Sequence, residues 1–212
     1  MPTQFLLAVG VVTAVVFVAV MLIEGALRSG YDPTYHTISM LTLGGRGWIQ
    51  IANFLQVGLG MLVFAVGVHR TLGDTVGSAL LGIFGLGIVA SGVFRPDPMR
   101  GYPPGTPSGT PAELSWQHQI HNAAGPIAFL VLLGACLALS RRLHGSRRLY
   151  TIITAVAGFL FTIGTAVAWQ SDAANTGLVQ RGLIVVYLSW IALLGIHLIG
   201  QLRTRDNQGN PQ

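Results

Sequence analysis

The chain has 212 residues, 51% of them hydrophobic and only 9% charged, with a mean hydropathy of +0.62. Soluble domains carry about 25% charged residues, so this chain cannot cover a water-exposed surface and reads as an integral membrane protein. Its net charge of +5 comes from 12 arginines and no lysine. They fall at the ends of apolar runs, where phospholipid headgroups are the expected partner and nucleic acid is not.

A spanning helix needs about 20 mostly apolar residues. Six segments qualify, at roughly 5–27, 48–69, 74–94, 118–140, 148–169 and 180–201. In lipid each must satisfy its own backbone hydrogen bonds, which leaves helix as the only workable state. The expected fold is all-α, a six-transmembrane-helix bundle forming a single domain over 1–202, with 203–212 a disordered cytoplasmic tail. The first run is too long for a secretory h-region and has no basic residue before it, so it reads as a retained span. Gly73-x-x-x-Gly77 and Gly87-x-x-x-Ser91 suit close helix packing. The lone Cys136 reads as a small packing residue.

Six spans put both termini on one side. Seven arginines lie on that side, at 70, 141, 142, 147, 148, 203 and 205; five lie on the other, at 28, 46, 95, 100 and 181. Basic residues in short connections stay in the cytoplasm. Both termini are therefore expected to be cytoplasmic in a cell membrane, with most acids and three histidines facing outward.

The outer side carries the chemistry-bearing residues. Glu24, near the end of the first span, needs a partner because an ionisable group in a membrane segment is costly. Arg28 one turn on, or the histidines described below, could supply it. In the first outer loop, Asp32 as N-cap, Pro33 at the first helical position and Gly44 as a stop predict a short extra helix of about three turns. It would either lie in the interface, anchored by Tyr35, or cap a pocket with His36 or Ser39 pointing inward.

The second outer loop, from Arg95 to Gln117, is too rich in Pro and Gly for helix or sheet and reads as a lid or a linker. At its start, Arg95 and Asp97 sit between prolines. They form either a surface pair or part of a site near the fourth span. The third loop offers Trp169 as an interfacial aromatic and Asp172 as an acid or a solvated residue. Arg181 follows, to pair with Asp172 or a lipid phosphate.

The fourth span opens Trp116-Gln117-His118-Gln119-Ile120-His121-Asn122-Ala123-Ala124-Gly125, too polar for an ordinary membrane helix. At helical spacing His118, His121, Asn122 and Gly125 share one face. His36-Thr37-Ile38-Ser39-Met40-Leu41, with Gly92-Val93-Phe94-Arg95-Pro96-Asp97 leading to His118-x-x-His121, resembles the bacterial and archaeal membrane proteins grouped as "domain of unknown function 998". The resemblance runs over about residues 5–200 and implies a polytopic membrane protein without an assigned activity. The long Pro/Gly insert between Asp97 and His118 departs from the pattern. A fainter likeness runs to the alkaline ceramidase and progestin-receptor-like membrane hydrolases, which set a Ser, an acid and several His around zinc. Those parts would fall to Ser39, Asp97 or Asp172, and His118 with His121. The chain departs from that group in having six spans instead of seven and no His-x-x-x-His in the last.

Zinc catalysis needs about three protein ligands and an open position for water. His118 and His121 with Asp97 or Asp172 are the candidates, making zinc the possible cofactor. Haem needs facing histidines at one depth; His69 and His197 are the conceivable pair, yet read more simply as helix-end residues, so haem is not expected. No ring of charges or filter suggests a channel. Few polar residues occupy the centres of the second, third and fifth spans, which argues against a transporter. Two functions follow: binding of a lipid or small lipophilic molecule, or an accessory role, in an outer polar pocket built with His36, Arg95, Asn122, Glu24 and Arg181; or metal-dependent hydrolysis of a lipid-like substrate at that face.

Overall fold

The computed structural model describes residues 1–209. The last three residues of the expected disordered tail, 210–212, lie outside the described residues. Six helices follow the six apolar runs: α1 (Thr3–Leu27), α2 (Gly47–Leu72), α3 (Thr75–Val93), α4 (Trp116–Ser140), α5 (Gly145–Gln170) and α6 (Thr176–Gly209). All six are long and apolar enough to cross a membrane, and no strand occurs among the described residues. The protein is an all-helical, multi-pass membrane protein. α6 continues as helix to Gly209, past residue 202 where the sequence places the start of the tail.

Each helix packs on the next, and α6 closes back on α1, so the six form a ring in chain order. The interior is filled by Leu7, Met61, Phe64, Leu81, Leu132, Tyr187 and Trp190, among others, all essentially buried. Valine, leucine and isoleucine side chains on the outward faces of all six helices are exposed, as a lipid-facing surface requires. α2 and α3 meet backbone to backbone: a Cβ added at Gly58 would sit 2.7 Å from the Gly85 carbonyl oxygen, and one at Gly85 2.6 Å from that of Gly58. Small residues permit this contact in a medium where packing, rather than water exclusion, joins helices. Gly77 and Gly87 let α3 approach Leu139 and Ala128 of α4, whereas Gly73 is a left-handed helix cap at φ 64°. The seam between α4 and α5 is the thinnest of the ring.

Both ends of the chain lie together: Gln4 donates to Asp206 at 3.2 Å, and Arg70 donates to the Met1 carbonyl at 3.2 Å. The opposite end is covered by the loops after α1, α3 and α5. There the expected three-turn helix is shorter. It is a 3-10 helix, Ile38–Thr42, preceded by turns over Pro33–His36. The reason lies in competition for the backbone. Arg181 takes the carbonyls of Pro33 and His36, the Tyr31 hydroxyl donates to those of His36 and Thr37, and Gln180 accepts the Ile38 N–H at 2.7 Å. Groups that would have closed a helical ladder are satisfied by side chains instead.

Arg28 fixes the other end of this loop. A guanidinium has five N–H donors, and each finds an acceptor: Nε the Glu24 carboxylate at 2.8 Å, Nη1 the Leu43 carbonyl and the Tyr102 hydroxyl, Nη2 the Leu41 and Arg46 carbonyls. The second Glu24 oxygen accepts from Arg46. Glu24 thus meets its expected partner and stands apart from the histidines. Removing one member of a buried ion pair costs about 3–5 kcal/mol. Arg28→Ala is expected to lower the thermal unfolding temperature in detergent sharply. Arg28→Lys should recover only part of the loss, because an ammonium has three donors for five acceptors. An Arg28→Ala protein that unfolds at the wild-type temperature would refute this account.

Candidate functional site

Beneath the cap, walled by residues of all six helices, lies a cavity of about 420 Å³, within the usual range for small-molecule sites. Its floor and walls are apolar: Phe17, Phe54, Phe84, Ile88, Phe129 and Leu188. Its upper end is polar, lined by Ser39, Asp97, His118, His121, Asn122 and Gln180. The four residues of the α4 stripe, His118, His121, Asn122 and Gly125, all face it.

The α3–α4 junction positions the two imidazoles. Ser115 caps α4 by accepting the His118 N–H at 3.1 Å, and its own N–H donates to Asp97 Oδ2 at 2.7 Å. The Asp97 N–H then donates to His118 Nδ1 at 3.0 Å. His118 Nδ1 is therefore an acceptor, so the ring is neutral with its proton on Nε2. His121 is the reverse case. Its Nδ1 lies 3.0 Å from the Ser91 carbonyl and 2.8 Å from that of Phe94. Carbonyls only accept, so Nδ1 carries the proton, and in the neutral ring Nε2 is a lone pair. Neither Nε2 has a hydrogen-bond partner among the described residues. The stripe thus offers the cavity one N–H donor and one acceptor.

Pro126 lies inside α4. Having no N–H, it leaves the Asn122 carbonyl without its helical partner. This adds an acceptor three residues from the lining Gly125. Asp97 lies outside the spans. Partial burial pushes its carboxyl up, but hydrogen bonds from Ser115 outweigh this and hold it below the ordinary carboxylate range.

The remaining candidates stand elsewhere. His36 is buried beside Tyr31, Tyr35 and Tyr102. Its Nδ1 accepts the Asp32 N–H at 2.8 Å, and its Nε2 donates to the Arg100 carbonyl at 2.9 Å, tying the first loop to the second. Asp172 accepts from the Tyr35 hydroxyl at 2.6 Å and pairs with Arg100 at 3.3 Å, rather than with Arg181. Arg181 is spent on the first loop and on the Tyr31 hydroxyl at 2.7 Å. Burial pushes the Tyr31 phenol up to about 12 despite that arginine. Arg95 is exposed and makes no ion pair among the described residues, so the Arg95–Asp97 surface pair does not form. Ser39 contacts the Thr37 hydroxyl at 3.2 Å, and no serine hydroxyl bonds to either imidazole. Among the described residues no three His, Cys, Asp or Glu side chains are placed to hold one metal ion. Nor can His118 ligate through Nε2 as it stands, since the Asp97 amide occupies the other nitrogen's lone pair.

Several contributors carry no obvious sequence signal. Arg100 lies in the Pro/Gly loop, yet is buried with its guanidinium 3.7 Å from the Trp169 ring and donating to the Trp169 carbonyl at 2.6 Å. Met99 and Tyr102 are buried beside it, so the start of the loop is packed cap while the stretch from Ser108 to Glu113 is exposed. Gln50, Asn53 and Gln56 form a polar ladder on α2, in a span that reads as weakly polar. Asn53 and Gln56 donate to the Phe17 and Thr13 carbonyls of α1 at 3.1 and 3.2 Å. Their regular three-residue spacing was the available clue. His69 is exposed at the end of α2, and His197 lines an open groove with Arg147 at the far end of the bundle.

A family model described as "Protein of unknown function (DUF998)" matches residues 11–197. The chain belongs to the DUF998 family. No curated protein and no solved structure matches it. In this family member both resemblance motifs meet at one place: Ser39 and Met40 of the first, and Asp97, His118 and His121 of the second, line the same cavity.

A carboxyl held below its ordinary range stabilises the fold above its unfolded pKa, about 3.9, and that stability is lost as pH falls through the folded value. Acidification below about pH 4 should therefore loosen the α3–α4 junction. Asp97→Asn is expected to remove that part of the acid dependence, seen as a smaller difference from wild type in unfolding temperature at low pH than at neutral pH. A constant difference across the range would exclude a role for the ionised carboxylate.

Proposed function

We propose that the protein binds a small lipophilic ligand in the cavity, with the polar end of the cavity on the extracytoplasmic side of the cell membrane. The observation that carries this reading is the pairing of an apolar chamber with two backbone-locked imidazoles whose free nitrogens have no protein partner. Both imidazoles line the chamber, and a ligand head that hydrogen-bonds to these nitrogens would satisfy them there. Binding is favoured over metal-dependent hydrolysis because His118 is locked in the wrong tautomer for a metal ligand and, among the described residues, no serine hydroxyl bonds to either imidazole.

The orientation is supported by how the arginines are used. On the capped side Arg28, Arg100 and Arg181 are buried in internal contacts, which leaves Arg46 and Arg95 exposed. On the other side Arg70, Arg141, Arg142, Arg147, Arg148, Arg203 and Arg205 are all exposed. Seven exposed arginines against two is the asymmetry expected of a cytoplasmic face.

Two measurements test these points. Native mass spectrometry of protein purified in mild detergent should find an apolar molecule retained at one per chain and released on unfolding. Protein that stays empty, even after incubation with a total lipid extract, would sink the binding reading. For orientation, a single cysteine placed at Ser108 in a Cys136→Ser background should react with an impermeant maleimide on intact cells, and one at Arg205 only after permeabilisation. The opposite pattern would invert the topology.

A further inference from the structure

We infer that the ligand is an uncharged amphiphile with a hydroxyl head and a long apolar chain, and that it enters sideways from the bilayer between α4 and α5. This rests on the reading that the cavity binds a lipophilic ligand, and it specifies which one and by what route.

The head follows from the charges and hydrogen-bonding groups at the polar end. No arginine lines the cavity, and its one carboxylate is Asp97. The arginines of the capped side are either turned into the loops or exposed away from it. A phosphate or carboxylate head would meet a negative charge and no cation. Beside Ser39, Asn122 and Gln180, the site offers the His118 Nε2–H and the His121 Nε2 lone pair, one helical turn apart on one face. A hydroxyl is the simplest group that accepts from the first and donates to the second.

The route follows from the shape of the ring. α4 and α5 are joined at the far end by the short connection at 141–144, and their seam is the thinnest of the six. Towards the cavity both helices of the seam offer lining residues that are also exposed: Asn122, Pro126 and Leu130 on α4, Ile163 and Ala166 on α5. A Cβ at Gly125 would meet nothing within 4 Å. On the aqueous side Met40 and Met99 line the cavity and pack with Tyr102 as a small core of their own. From His118 to Leu130 the chamber follows α4 for about 18 Å at 1.5 Å per residue, a depth suited to a chain and not to a compact solute.

The test uses full-length protein in phosphatidylcholine vesicles and a hexadecanol that carries a photoreactive diazirine in its chain. Labelling of cavity residues is competed with hexadecanol, hexadecyl methyl ether, palmitate and hexadecylamine. The alcohol should compete best. The ether, which accepts but cannot donate, should be roughly fivefold weaker, the worth of one buried hydrogen bond, and palmitate weaker still. His121→Phe should abolish the preference for alcohol over ether, whereas His118→Phe should weaken both equally, a pattern that loss of packing alone would not produce. Should either variant fail to fold, the wild-type order decides. Equal competition by palmitate, or tighter binding of the amine, overturns the hydroxyl assignment while leaving ligand binding intact. No labelling of the cavity by any chain overturns the binding reading itself. Ala166→Trp, set in the seam, should slow both the uptake and the release of the alcohol several-fold. Unchanged rates would exclude the sideways route.

Discussion

A carboxylate held between two guanidiniums organises the capped end of this protein. Glu24 sits at the end of α1, buried, with Arg28 on one oxygen and Arg46 on the other. Taking these charges out of water is costly, and their attraction alone need not offset it. What makes the arrangement stable is that Arg28 has no idle donor: the carbonyls of Leu41, Leu43 and Arg46 and the Tyr102 hydroxyl take up the rest. The ion pair is thereby a clamp on the backbone between α1 and α2. A hydrophobic substitute could fill the same volume but could not satisfy those carbonyls.

The same device recurs twice. Arg181, reaching from α6, satisfies the first half of the loop as Arg28 satisfies the second. Arg100 pins the second loop to the third through Trp169 and Asp172. Three buried arginines thus replace the regular hydrogen-bond ladders that these connections lack. Because the cap is held by side chains from α1 and α6 and by the loops themselves, the histidine-bearing end of α4 is left free of it. That division of labour leaves the imidazole Nε2 atoms facing the chamber with no partner of their own.

Much of this architecture was legible from the residues alone. The six spans follow from apolar length, and the shared face of His118, His121, Asn122 and Gly125 from helical spacing, because both depend only on local periodicity. The hydrogen-bond partners did not follow. Asp32 and Pro33 give a strong local start signal for a helix, yet Arg181 and Gln180, about 145 residues later in the chain, take the backbone groups that helix would need. Asp172 and Arg181 look like neighbours in sequence, but each is claimed by another loop, since a pair's energy at a loop surface is small beside a buried backbone carbonyl's need for a donor. Arg100 was hidden for a similar reason. A proline-rich stretch announces that it is not helix or sheet, but not that its middle is packed.

The short connection at 141–144 has one more consequence. It ties α4 and α5 together at the end of the bundle away from the cap, while α2 and α3 are locked along their length by the Gly58–Gly85 contact. Widening of the ring is opposed least where α4 and α5 part, since that seam is packed least. The ends that flank it carry the histidines on one side and Trp169 on the other. Because Arg100 holds Trp169 by its ring and its carbonyl, motion there would change the distance between the two sides of the chamber and be felt in the cap through that arginine.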